Sequence, residues 1–437
     1  MNPIKTKSSN PKDIYDRLLD KSVLRAQCHQ LAKRFDFTKT SWIAERASVV
    51  FNTSMSQHEA ISSIKRLEPG EMLAVFNDRR VILPVAPITL IESLKSGKPF
   101  EQAIWEHEFQ LVDIANTVDP SVTIRDIHIL LNPRALLPLT RQTPCTNPPV
   151  FNGISIKDMD IKRKAVSHTL VPSHIRKTME DTLVCEGISK ERAYAITDLL
   201  AKFRESFYPK VEELKPGQLS WNAISAIDNF QETHSNKYRE QIPVILTIYT
   251  PDEIHAIKSN IHNLTLNFIN DILQQQIARV TSEAYLQGGL LSQLDLQMFF
   301  YRSYGIISKQ IVEYEEKHKV ILPTPGTIKD AGRRFTHKRI VISLYLEGYL
   351  SKDIAVKTHH SGIAVDRYID GFLRVMALHL YSVPPEVMSR TLKFSVNLVN
   401  EYISIVKEHF PNPDKPEPKR FVRSQNSGVR SQNKRVA

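Results

Sequence analysis

The sequence predicts a predominantly helical α+β fold, with duplicated α+β modules in its N-terminal half and tandem helix-turn-helix domains after them, the first carrying a β-wing. Three observations carry that expectation. The order helix, Leu-x-Pro-Gly turn, β-rich stretch occurs twice in the first 260 residues. Two later segments share one spacing of a serine and three apolar residues, the pattern of a short helix, a tight turn and a second helix. Glycine is scarce, 14 in 437 residues, against a usual ~7%. With neither GxGxxG nor GxxxxGK(S/T) present, folds built around glycine-rich phosphate loops are disfavoured.

A hydrophobic fraction of 41% and a charged fraction of 24% suit a globular protein long enough for several domains. The net charge of +11 and pI near 9.3 select an acidic partner, nucleic acid ahead of an anionic membrane surface. The bland alternative is a charge that serves solubility alone. Three cysteines, Cys28, Cys145 and Cys185, are too far apart for a zinc knuckle. An odd, sparse count fits a reducing cytosol better than a disulfide framework. The opening MNPIKTKSSNPKD has no apolar core and is not expected to be a secretory signal. The longest apolar stretch, VILPVAPITLIESL (81–94), is interrupted by two prolines and is too short to span a bilayer. The expectation is a cytoplasmic protein with no membrane partner.

In chain order, residues 1–100 hold the first module: a helix over FDFTKTSWIAERASVVF (35–51), the turn in KRLEPGEMLAVF (65–76) and the strand-like RVILPVAPITLIE (80–92). Residues 101–165 form a mixed region closing in the proline-rich linker TRQTPCTNPPVFNG (140–153). Residues 166–260 repeat the module with CEGISKERAYAITDLLAKF (185–203), EELKPGQLSWNAIS (212–225) and QIPVILTIYTPDE (241–253). In both copies the Pro-Gly pair suits a type II turn, proline presetting φ and glycine supplying the positive φ. Residues 261–326 are the first helix-turn-helix and 327–380 the second. An amphipathic helix occupies 381–410, and 411–437 is a basic tail of disordered composition.

The second unit lies in LYLEGYLSKDIAVKTHHSGIAVDRYIDGF (344–372). Counting from Ile354, Ser361 stands at +7, Val365 at +11 and Ile369 at +15, with Ala355 small where the helices cross. Ser351 and Ser361 are the expected helix caps, and the supporting helix in HKRIVISLYLEG ends at Gly348. The same register recurs 58 residues upstream with Leu296, Ser303, Ile307 and Ile311, although Gln297 replaces the small residue. The following KVILPTPG (319–326) supplies the expected wing. Residues between the core anchors of each second helix would face base edges in the major groove. These are Ser308, Lys309 and Gln310 upstream, and Ser361, Gly362, Ile363, Ala364 and Arg367 downstream. In GRRFTHKR (332–339), Arg333, Arg334, Lys338 and Arg339 form an acid-free run expected to clamp phosphates. Each unit has a purely structural counterpart, a three-helix core, and the basic run a solvated face.

The second unit resembles the trihelical helix-turn-helix of LuxR-type regulators and of the promoter-reading region of sigma factors. The longer order GGxLSQxDL…GTIKDAGR…HKR…LYLEGY…THHS…AVDRYIDGF, with ELKPGQLSWNAIS and IPVILTIYTPDE before it, resembles an uncharacterised bacterial and archaeal family, a domain of unknown function, over roughly 170–380. That resemblance implies a prokaryotic, DNA-associated protein and brings no reaction or ligand.

Chemistry is thinly signalled. In WEHEF, Glu106, His107 and Glu108 point apart as sequence neighbours and are expected to form an exposed polar patch rather than a metal site. No HExxH, CxxC or GxSxG occurs, so neither an enzyme nor a cofactor is expected. The sequence therefore reads as a sequence-specific binder of double-stranded DNA, a transcriptional regulator with an unspecified effector, and a homodimer if the last helix pairs. The alternatives are a replication, partition or recombination factor of a mobile element, and a helical scaffold that docks protein.

Overall fold

The computed structural model describes residues 15–19, 27–28, 31–32, 34–35, 41–137, 171–227, 240–328 and 335–410. The expected linker (140–153) and basic tail lie outside these residues. The chain divides into two compact units, Met1–Ile311 with Pro323–Lys329, and Val312–Leu322 with Asp330–Ala437. Among the described residues helices predominate, with one small antiparallel sheet, as the sequence predicts.

The first unit opens with α1 (Asp16–Leu19), α2 (Ser41–Ile61), the hairpin β1 (Glu71–Phe76) and β2 (Arg79–Pro84), then α3 (Ile88–Lys95), α4 (Phe100–Asn116) and α5 (Ile124–Leu131). It continues with α6 (Ser173–Cys185), α7 (Lys190–Phe207), β3 (Gln218–Ser225), β4 (Gln241–Thr247), α8 (Pro251–Ser259), α9 (Leu266–Leu286), β5 (Gly289–Leu290) and α10 (Gln293–Phe300). Helix α11 (Tyr304–His318) crosses the division, and α12 (Pro325–Ile328) belongs to the first unit. The second unit adds α13 (Phe335–Leu346), α14 (Ser351–Thr358), α15 (Gly362–Leu380), α16 (Pro385–Leu392) and α17 (Val396–His409).

The two repeated segments build one sheet between them, in the order β2-β1-β3-β4, with β5 beside β3. Its centre has an approximate two-fold relation. The Gly70 N–H donates to Ser220 O and the Gly217 N–H to Leu73 O, both at 2.7 Å. Outside the strands, the Leu67 N–H donates to Pro209 O at 3.0 Å and the Val211 N–H to Lys65 O at 3.1 Å, an isolated antiparallel bridge between Arg66 and Lys210 that is out of register with that relation. Both turn glycines have the expected positive φ, +97° at Gly70 and +84° at Gly217. Leu67 and Leu214, the leucines of the two Leu-x-Pro-Gly turns, share one buried cluster.

Beside the sheet, each copy gives charge to a joint ion cluster. Glu59 accepts from Arg204 Nη2 at 2.6 Å and from Arg66 Nε at 2.8 Å, and Arg66 Nη2 donates to Glu205 at 2.7 Å. Burial alone would raise the Glu59 carboxyl, but the Arg204 and Arg66 guanidiniums outweigh it and hold the group below its ordinary value. Away from the sheet, α2, α6 and α7 bury Phe51, Met179, Ile196 and Leu200 in one helical core.

Two strand expectations need correction. RVILPVAPITLIE is a strand only to Pro84, because Pro87 starts α3. QIPVILTIYTPDE ends as a strand at Thr247, and Thr250 with Glu253 forms the capping box that opens α8, with Pro251 in its first turn. The β-wing expected at 319–326 is absent. Ile321, Leu322 and Thr324 are buried, and the Leu322 N–H donates to Glu315 at 2.9 Å. Pro323 and Pro325 also lack the N–H that a ladder needs, and the chain turns directly into α12.

Candidate nucleic-acid interface

Helix α13 begins in the basic run and closes at Gly348, whose φ of +93° lets the chain reverse. It packs with α14 and α15 around Ile340, Val341, Leu344, Ile354, Val365 and Ile369, all buried. The joint between α14 and α15 is three residues long. His359 adopts the left-handed conformation at φ +54°, and the Ser361 hydroxyl caps α15 by accepting from the Ala364 N–H at 3.2 Å. Ser351 does not cap as expected. Leu350 holds the N-cap position without a side-chain bond and Ser351 is the first helical residue. Burial, and then the neighbouring His360, push the His359 imidazole below its ordinary value.

Upstream the same geometry appears at the same offset of 58. Helix α10 also has eight residues, Tyr301 also takes the left-handed turn position at φ +50°, and α11 begins right after Ser303. Leu296, Ile307 and Ile311 are buried as the register requires. The surroundings differ, however. Every residue of α10 is buried, with Asp295 bonded to Trp221 Nε1 at 3.0 Å and paired with Arg17. The turn is sunk as well. Tyr301 donates its hydroxyl proton to Val85 O at 2.9 Å, and the Arg302 guanidinium reaches Asn132. Burial, then Arg134, lower the Arg302 pKa to about 10.

Each expected base-reading residue can now be placed. Gly362, Ile363 and Arg367 lie exposed on α15, and Ser361 is exposed at its cap. Ile363 is 83% exposed. Ala364 is a correction: it is buried, lying directly beside the core anchor Val365 at the capped start of α15. Upstream, Lys309 is exposed and Ser308 half-buried. Gln310 is the second correction. It is buried and accepts from Gln274 Nε2 at 2.9 Å, so its amide serves helix packing.

The trihelical geometry sits within a recognised family. The model of DUF1670, a protein family of unknown function, matches residues 187–405, half of the chain. The chain belongs to the DUF1670 family. No curated protein and no solved structure matches it. The DUF1670 region takes in the second half of the sheet, the two units in register and most of α17.

Within that region the basic run is not acid-free once folded. Arg339 pairs with Glu408 of α17, and Lys338 acts on Glu401 of the same helix, so two of the four expected phosphate contacts face carboxylates. Arg333 and Arg334 lie outside the described residues. On α15, Asp370 pairs with Arg374 at 2.8 Å, which leaves Asp366 and Arg367 as neighbouring charges of opposite sign on its outer face.

Outside the DUF1670 region, WEHEF corrects another expectation. His107 and Glu108 are buried rather than exposed, since they lie on the inner face of α4 while Trp105 and Phe109 point outward and meet edge to face. Glu108 accepts from Asn132 Nδ2 at 2.7 Å and lies 3.4 Å from His128 Nε2. Burial pushes the His107 pKa below its ordinary value, against the opposing Gln110 contact and Glu108 charge. Among the described residues no group of three potential metal ligands converges and no helix is long and apolar enough to cross a membrane. The first unit also holds an open cavity of about 480 Å³ whose lining is mixed, with Val75, Phe76 and Ile254 beside Asn77, Asp126 and Lys258.

Proposed function

We propose that this protein is a cytoplasmic, sequence-specific DNA-binding protein of prokaryotic type, a transcriptional regulator that reads the major groove through helix-turn-helix units and binds two half-sites as a homodimer. One observation carries the reading. A geometry of eight-residue helix, left-handed residue and second helix is built twice at an offset of 58, each time leaving the start of the second helix at the surface. The first turn of α15 and the Tyr304–Lys309 stretch of α11 are the faces a duplex would meet. The excess of 11 positive charges supplies attraction to phosphate without regard to sequence. The likeness of the second unit to LuxR-type and sigma-type readers supports the same use.

The two units are not equal. The upstream first helix and turn are buried in the first unit, so α11 offers only its outward face, whereas α14 and α15 both reach solvent. Selection of bound duplexes from a random pool, followed by titration across salt, tests the proposal. An enriched motif and roughly a 100-fold loss of affinity between about 50 and 200 mM salt are expected, the effect of about four released counterions. No enrichment, with binding indifferent to salt, overturns it. Exposed Val356 and Ile363 beside Asp366 and Asp370 favour a second reading, a face that docks another protein. Its signature is an association that survives nuclease.

A further inference from the structure

Helices α16 and α17 repeat the geometry of α14 and α15 at an offset of 34 residues. Helix α16 has eight residues, Lys393 follows it in the left-handed conformation at φ +57°, and the Ser395 hydroxyl caps α17 by accepting from the Leu398 N–H at 3.2 Å. The core anchors match as well. Met388 stands for Ile354, Val399 for Val365 and Ile403 for Ile369, all buried. Ser389 takes the small-residue place of Ala355. The supporting helix is the C-terminal half of α15, where Val375 is buried against the unit as Val341 is in α13. Helix α15 thus serves one unit as its second helix and the next as its support.

The outer face of α17 differs from that of α15 in chemistry. Where α15 presents Ile363, Asp366 and Asp370, α17 presents Asn397, Asn400 and Ser404, all exposed. These lie three and four residues apart and so form one stripe. An asparagine carboxamide can accept from adenine N6 and donate to N7 together, the paired contact that singles out an A·T pair in the major groove. The first turn of α17 carries no carboxylate; the half-exposed Glu401 follows one turn after Asn397, where α15 has Arg367, and Lys338 of α13 acts on it. Lys393 in the turn and Arg390 on α16 are exposed beside it, placed to hold the strands on either side.

We propose that α16 and α17 form a third helix-turn-helix unit, and that Asn397 and Asn400 on α17 read adenine in double-stranded DNA. The assignment rests on the DNA-binding reading above and names the helix best equipped for it. Full-length wild-type and N397A/N400A chains are to be compared in duplex selection and in titrations of the selected site against a version with its A·T pairs exchanged for G·C. Circular dichroism confirms that the variant folds, as expected for two exposed positions. The double variant should lose at least about 10-fold of its discrimination while keeping its nonspecific affinity. Lys393→Ala should weaken all sequences alike and reduce the salt slope by about one. If wild type selects a motif and the double variant selects the same motif equally well, the assignment of α17 is overturned while DNA binding stands. If wild type selects no duplex, both readings fall.

Discussion

Ser361 and Ser351 show how much one hydroxyl depends on where the helix starts. Both precede apolar rhythms in the sequence, yet only Ser361 accepts a first-turn N–H. Ser361→Ala should therefore destabilise the second unit by about 1 kcal/mol, whereas Ser351→Ala should change stability by a few tenths at most. Urea titration read by tryptophan-independent circular dichroism checks both, and equal losses would show that the cap does not act as the geometry implies. Gln310 and Ala364 teach the complementary lesson. Spacing placed each between core anchors, but whether a side chain between anchors faces out depends on the breadth of the buried stripe. Behind Gln310 that breadth is set by α9, whose Gln274 donates to its amide oxygen.

Among the elements, the Pro-Gly turns carry the sharpest constraint. A Cβ on Gly217 would stand 2.2 Å from the carbonyl oxygen of Tyr249, and the residue already has φ +84°. Gly217→Ala should cost about 2 kcal/mol or more, because the clash is with backbone rather than with a movable side chain. Gly97 has φ +101° but open space around it, so Gly97→Ala should cost about 1 kcal/mol of backbone strain alone. Thermal denaturation of the two variants should separate them clearly, and equal shifts would deny the close approach. Elements were legible where pattern and turn chemistry agreed. The positive φ of the two Pro-Gly turns and the spacing of the trihelical register follow from the sequence. Legibility failed at 319–326, where an apolar run that reads as strand is instead a buried strap closed by prolines. The single helix expected over 381–410 is instead two, α16 and α17, broken at the left-handed Lys393, and Met388, Ser395, Val399 and Ile403 keep the spacing of Ile354, Ser361, Val365 and Ile369.

Across the whole molecule, the cluster of Glu59, Arg66, Arg204 and Glu205 ties the two copies of the repeat together. Removing one member leaves buried charge without its partner, so Glu59→Ala should destabilise by about 3 kcal/mol or more. The pH dependence has a definite sign. Because the folded Glu59 carboxyl is held below its unfolded value, its contribution is complete above the unfolded pKa near ~4.3 and is lost as pH falls through the folded value. The stability gap between wild type and Glu59→Gln, measured by urea midpoints, should therefore be constant above about pH 6 and shrink below about pH 4. A gap that widens on acidification would reverse the assignment. Local pattern alone determined the helical character, the repeated module, the positive turn glycines and the shared serine register, because each is written within a few turns of chain. Only the tertiary structure decided that the two modules join into one sheet, that α10 is buried on all sides and that Glu401 and Glu408 stand beside the basic run. Those outcomes depend on residues distant in sequence arriving at one place, and no spacing within a segment encodes which partner will cover it.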